Sequence, residues 1–164
     1  MILYPTRWWG RFSFLFCLIA FFVGFLERKK SAISPTLRAL VMTRVSQQCE
    51  CDFCIDANSL RLAQRSGSLD KVMSVYHWQE ADCFDDQERA ALAYADGMTA
   101  TPPSIDEALK SELKRYFSEK AITELTALVA FQNLSARFNS ALDIPSQGLC
   151  VPERDVQSRG KPRV

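Results

Sequence analysis

Apolar positions recur at intervals of three and four along most of the chain, and no stretch alternates with period two for long enough to make a strand. Ser34-Pro35 supplies an N-cap followed by a proline in the first helical turn. Leu37, Leu40, Val41 and Val45 then mark one face of a helix reaching about Gln48. A second helix enters near Cys51 and runs to about Arg65, where Ser66-Gly67 stops it. Ser68 can cap a short helix toward Tyr76. Asp85 to Glu88 and Ser104 to Glu107 both read as capping boxes, the second just after the breaker Pro102-Pro103. Ser118 opens the last long helix, with Ile122, Leu125, Val129, Leu134, Phe138 and Leu142 as its apolar partners, ending before Pro145. The expected fold is all-α, with about six to seven helices.

One segment breaks the mixed pattern. Phe12 to Leu26 holds no charge and contains six of the eleven phenylalanines. A bilayer span needs about 20 apolar residues, and 10–14 more often means a buried helix. This run falls between the two. Bases flank it on both sides, and no small-residue cleavage site follows it, which argues against a secretory signal. The expectation is a first helix buried on most sides by packing or by a subunit partner, with membrane association through residues 12–26 as the alternative.

The chain has 164 residues, enough for one core, and 48% of them are apolar. Its net charge of +1 hides an asymmetry. Residues 1–30 carry Arg7, Arg11, Arg28, Lys29 and Lys30 against Glu27, and residues 151–164 carry four bases against Glu153 and Asp155. The body between them holds eleven bases and sixteen acids, so it offers no electrostatic footprint for nucleic acid. The expected organisation is a hydrophobic N-terminal helix in 1–30, a helical domain in 31–150 and a flexible tail in 151–164.

Chemistry concentrates in Cys49-Glu50-Cys51-Asp52-Phe53-Cys54. The pair Cys51 and Cys54 is either half of a zinc site or a dithiol redox centre. Zinc needs two further ligands, usually a second close pair, and Cys83, Cys150 and His77 are all isolated, so no metal is expected. At a helix entry, free N–H groups and the macrodipole favour a thiolate. A peroxide-reducing dithiol needs one thiolate to attack the O–O bond and a neighbour to resolve the sulfenic acid, which this spacing supplies. Cys51, Cys54, Ile55, Asn58 and Leu62 share one helical stripe, placing the Asn58 amide beside the sulfurs. His77, the single histidine, can serve as a base only by reaching the thiols from elsewhere in the chain, and packing between Tyr76 and Trp78 is its simpler role. Asn139 and Arg137 are polar positions in an otherwise apolar helix, facing a pocket, an interface or buried partners.

Three separated blocks, LRALVMTRVSQQCECDFCIDANS, ERAALAYADGMT and FSEKAITELTALVAFQNLSARFNSAL, resemble the carboxymuconolactone decarboxylase and alkylhydroperoxidase D (AhpD)-like family over about residues 31–150. The resemblance implies an all-α AhpD-like fold, assembly as a homo-oligomer, and thiol peroxidase activity without a cofactor. Cys54 would be the attacking thiol and Cys51 the resolving one. The family pattern also places a glutamate and a histidine at positions held here by Ala39 and Asn58. Asparagine cannot take a proton at neutral pH. The expected function is therefore a cytoplasmic dithiol peroxidase, with a hydroperoxide substrate, a thiol or dithiol reductant, and the relay groups missing. A non-catalytic assembly or membrane-associated protein that kept the fold is the alternative.

Overall fold

The computed structural model describes residues 3–150, so the reading made for 151–164 lies outside the described residues. All regular structure among them is helical, in eight α-helices. They are α1 (Tyr4–Trp9), α2 (Ser13–Leu26), α3 (Pro35–Gln48), α4 (Asp52–Ser66), α5 (Leu69–Ser74), α6 (Asp86–Thr99), α7 (Glu107–Tyr116) and α8 (Glu119–Ala141). A single 3₁₀ turn, Val75–His77, follows α5. The helix beyond the expected six to seven is α1, a short turn ahead of the apolar run.

Most boundaries follow the capping chemistry. The hydroxyls of Ser34, Ser68 and Ser118 each accept from the backbone N–H three residues on. Asp85 and Glu88 form a reciprocal capping box at the start of α6. Gly67 closes α4 in the left-handed region at φ 66°. The start of α7 departs from expectation, because its cap is Asp106, whose Oδ1 accepts from Leu109 N at 2.8 Å. Ser104 is held in the preceding turn by its N–H donating to the Gly97 carbonyl at 2.8 Å. That turn lies close against α6, where a Cβ on Gly97 would stand 2.4 Å from the Ser104 carbonyl oxygen.

Helix α3 is the centre of the molecule, packed against α4, α6 and α8. Leu40, Val41 and Val45 are fully buried, each contributing roughly 1.5–3 kcal/mol of transfer free energy. Its buried hydroxyls are satisfied within the helix: Thr43 donates to the Ala39 carbonyl at 2.8 Å and Ser46 to the Met42 carbonyl at 2.6 Å. Leu125, Leu128 and Val129 close the core from α8, and Ala91, Leu92 and Ala95 close it from α6.

The rest of the described chain covers helix α2 on one side only. Leu26 is its one buried residue, while Phe14 and Phe21 are 84% and 76% exposed. No described helix is long and apolar enough to cross a membrane. The α1–α2 pair sits across α8 through aromatic contacts: Trp9 stacks on Phe138 with centroids 4.0 Å apart, and Phe22 tilts against Phe131 at 5.4 Å. The α2–α3 connection is pinned by Glu124 of α8, which receives the Ser31 hydroxyl, the Ala32 N–H and the Arg28 guanidinium. Burial pushes the Glu124 carboxyl up, but those donors outweigh it and the net shift is downward.

Candidate active site

Cys51 is the N-cap of α4, and its sulfur accepts from the Cys54 N–H at 3.2 Å. A cysteine thus takes the position usually held by Ser, Thr, Asp or Asn. Cys54 lies in the first turn, and the two sulfurs are joined as a disulfide with Cα atoms 5.2 Å apart. Both residues are nearly enclosed, at 1% and 3% exposed, in a small apolar cluster with Phe53, Ala136 and Ile144.

The two cysteines are not equivalent. Cys54 lines a cavity of about 380 Å³, and Cys51 does not. The floor of this cavity is α4 and α8, through Cys54, Ala57, Asn58, Phe131, Gln132 and Asn139. Its roof is α1 and α2, through Trp9, Phe16, Ile19, Ala20 and Val23. The apolar segment read from the sequence as a buried helix or membrane anchor is therefore a wall of the site.

Around the sulfur the polar groups are neutral. Asn139 Nδ2 donates to Cys54 Sγ at 3.2 Å, which favours a thiolate there when the disulfide is open. Asn139 is 1% exposed, and its Oδ1 has no hydrogen-bond partner among the described residues. Asn58 Nδ2 and Gln132 Nε2 both donate to Ser46 Oγ at 3.0 Å, and that hydroxyl donates on to Met42. The network fixes both amides from α3 and offers no group that ionises near neutral pH. Ala39, at the position where the resemblance implies a glutamate, is fully buried in α3.

Of the residues expected at the site, Cys51, Cys54 and Asn58 are together, and His77 is not with them. It is exposed on the 3₁₀ turn in an edge contact with Tyr76, and it does not line the cavity. The helical stripe is also rotated from the one expected. Leu62 goes into the main core, and Ile55 faces a separate shallow pocket with Asp52, Asp56 and Ser59. The stripe that meets the cavity is Cys54, Ala57, Asn58 and Arg61. Sequence reasoning missed Ser46, Gln132 and Arg61. Arg61 was legible as the residue seven positions after Cys54.

The other thiols stand apart. Burial pushes the Cys49 thiol up despite Arg137 beside it, and burial followed by the Asp56 carboxylate pushes Cys150 up. Cys17 and Cys83 are exposed. Among the described residues, no group of three or more His, Cys, Asp or Glu is placed to hold a metal ion. Asp56 organises the segment after α8, because its carboxylate accepts from Ser146 Oγ and from the N–H groups of Gln147, Leu149 and Cys150 at 2.6–2.9 Å. Burial raises this carboxyl, and the four donors together bring it below the ordinary value. The segment so held carries Gln147, whose Oε1 accepts from Tyr4 N at 2.8 Å and so ties down α1.

An all-helical bundle with a Cys-x-x-Cys at the first turn of a core helix, opening on an apolar cavity, defines a dithiol protein of AhpD-like fold. Residues 19–97 match the Carboxymuconolactone decarboxylase family. Escherichia coli (strain K12) has a relative, the uncharacterized protein YnjA, that is 52% identical over 154 residues, covering 93% of this chain and 85% of that protein. The chain belongs to the carboxymuconolactone decarboxylase family. Among solved structures, the debrominase Bmp8 superposes with a TM-score of 0.78 at 26% identity, covering 85% of this chain and 75% of that one. An alkylhydroperoxidase AhpD core, an uncharacterized peroxidase-related protein from Ralstonia eutropha JMP134, superposes with a TM-score of 0.76 at 18% identity, covering 88% and 80%. At that identity the likeness is one of fold alone.

Proposed function

We propose that this chain is a thiol-dependent peroxidase in which Cys54 attacks a hydroperoxide and Cys51 resolves the product. The observation that carries the reading is the asymmetry of the pair: Cys54 lines the cavity, and Cys51 sits behind it within disulfide distance. The Cys54 thiolate attacks the terminal peroxide oxygen, the O–O bond breaks, and the alkoxide leaves and is protonated to the alcohol. Cys54 is then a sulfenic acid. The Cys51 thiol attacks that sulfur, hydroxide departs with the thiol proton as water, and the disulfide closes. A thiol or dithiol reductant restores the pair. Among the described residues no carboxylate or imidazole lines the cavity, so the alkoxide takes its proton from water. General acid–base assistance is worth about 10²–10⁴ in rate, and turnover should be slower by that order than in a site holding the relay.

The likeness to a debrominase supports a second reading with the same electron count. Bmp8 was also solved in complex with 2,3,4-tribromopyrrole. There the Cys54 thiolate would take bromine from carbon, the carbanion would take a proton, and Cys51 would displace bromide while closing the disulfide.

The test is thiol titration of the reduced protein before and after one equivalent of cumene hydroperoxide, with bromide release from tribromopyrrole measured in parallel. Fast loss of two thiols per chain, abolished in Cys54→Ser, supports the peroxidase. In Cys51→Ser, where the serine hydroxyl can still cap α4, a sulfenic acid should accumulate on Cys54. Bromide release without peroxide consumption transfers the assignment to the second reading. Thiols unaffected by either substrate would leave a non-catalytic protein that keeps the fold.

A further inference from the structure

The cavity carries more than a reactive sulfur, and its two ends differ. Arg61 is the one charged side chain among the described residues that line it. Arg38, Arg44, Arg65, Arg89, Arg115 and Arg137, the other arginines of residues 31–150, each have an ion-pair or hydrogen-bond partner. Arg61 has none among the described residues, although it is half-buried. Cys54 and Arg61 are seven residues apart on one face of α4, a rise of about 10 Å at 1.5 Å per residue. The wall between them is apolar, formed by Phe16, Ile19 and Val23 of α2 and Phe131 of α8. At the sulfur end the buried Asn139 amide donates to Cys54 Sγ at 3.2 Å.

We infer that the cavity takes an apolar monocarboxylic acid bearing a hydroperoxide at its far end. The inference rests on Cys54 being the reacting atom. The carboxylate pairs with the Arg61 guanidinium, and the hydrocarbon body lies under the apolar roof of α1 and α2. The hydroperoxide at the other end of the chain then lies beside the Cys54 sulfur. An anion is favoured at Arg61 because no carboxylate among the described residues competes for it and the guanidinium offers several donors. Volume agrees with this class, since about 380 Å³ holds a small organic molecule.

The probes are ω-hydroperoxyoctanoic acid and its methyl ester for turnover, and octanoic acid and octanol for calorimetric binding. The protein should prefer the acid to the ester by about tenfold in KM, and octanoate to octanol by a similar factor in Kd, as one charge-assisted hydrogen bond allows. In Arg61→Gln both ratios should fall to near one, and Arg61→Lys should keep most of them. Each ratio is taken within one variant, so partial misfolding cancels. Equal KM for acid and ester in the unaltered protein, or a preference that survives Arg61→Gln, overturns the inference while leaving the peroxidase standing. An octanoate preference lost in Arg61→Gln, with no hydroperoxide consumed, upholds the anionic apolar ligand and sinks the peroxidase.

Discussion

Helices α2 and α3 both have fourteen residues and lie in opposite environments. The more apolar of the two, α2, presents phenylalanines to the outside and buries only Leu26. Helix α3 contains arginines, threonines and serine, yet nine of its residues are buried. What separates them is complementarity rather than hydrophobicity. The buried Thr43 and Ser46 hydroxyls of α3 donate to carbonyls one turn back, and the Arg38 guanidinium donates to the Ile33 carbonyl, leaving Arg38 Nε and Gln47 Oε1 as its buried polar atoms without a partner among the described residues. Helix α2 has no side-chain cap at its start and meets the body through buried Leu26 and one aromatic contact at Phe131, with the Glu124 clamp on the connection that follows it. A buried position is created by what surrounds it, so an apolar run can end as one wall of a cavity.

The largest expected effect lies in α3. Leu40→Ala should lower unfolding free energy by about 2–5 kcal/mol, read by denaturant titration, because the fully buried site cannot collapse without moving α4, α6 and α8. A loss below about 1 kcal/mol would remove α3 from the centre of the fold.

Asp56→Asn comes next, at about 1–3 kcal/mol, since it weakens four hydrogen bonds to a carboxylate. This variant also tests a pH dependence. The folded carboxyl sits below its unfolded value of about 3.9, so its contribution is complete well above that pH. It is lost as pH falls through the folded value. Protection factors for hydrogen exchange at the Gln147, Leu149 and Cys150 amides should therefore fall on acidification in the unaltered protein, and be low throughout in the variant.

Ser46→Ala should cost about 1–2 kcal/mol, because it removes the acceptor shared by Asn58 and Gln132. It should also slow thiol loss at Cys54 by loosening those amides, and an unchanged rate would make the network purely structural. The smallest effect belongs to α2. Phe21→Ser should change stability by less than about 0.5 kcal/mol, as for an exposed position. A larger loss would mean that something beyond this chain covers the helix.

The helices were legible because their ends carry local chemistry. Ser34, Ser68, Asp85 and Ser118 each satisfy N–H groups within the next turn, and Gly67 takes a conformation that suits few other residues. Ser104 misled because the close approach of its turn to Gly97 is tertiary, and Asp106 two residues on made an equally good cap. The dithiol and Asn58 were readable from spacing along one helix. The cavity was not, since its roof and floor come from segments separated by most of the chain. Asn139 was recognisable as a polar break in an apolar pattern, but its bond to Cys54 spans 85 residues. Phe12 to Leu26 revealed a helix but not its neighbours, because composition reports how apolar a segment is and not which of its faces is covered.

The division of the cavity between floor and roof bears on how such a protein can diversify. The Cys54 sulfur, the amides around it and the arginine at the far end all belong to α4 and α8. Trp9 and Phe16 precede the stretch that matches the family, and only Ile19, Ala20 and Val23 of the roof fall within it. Substitutions in this hairpin can reshape the volume offered to a substrate without displacing any group that touches the sulfur. The shape of the cavity and the chemistry around the sulfur are thus carried by separable parts of the chain, and the volume can be varied by exchanging the first two helices while the dithiol stays in place.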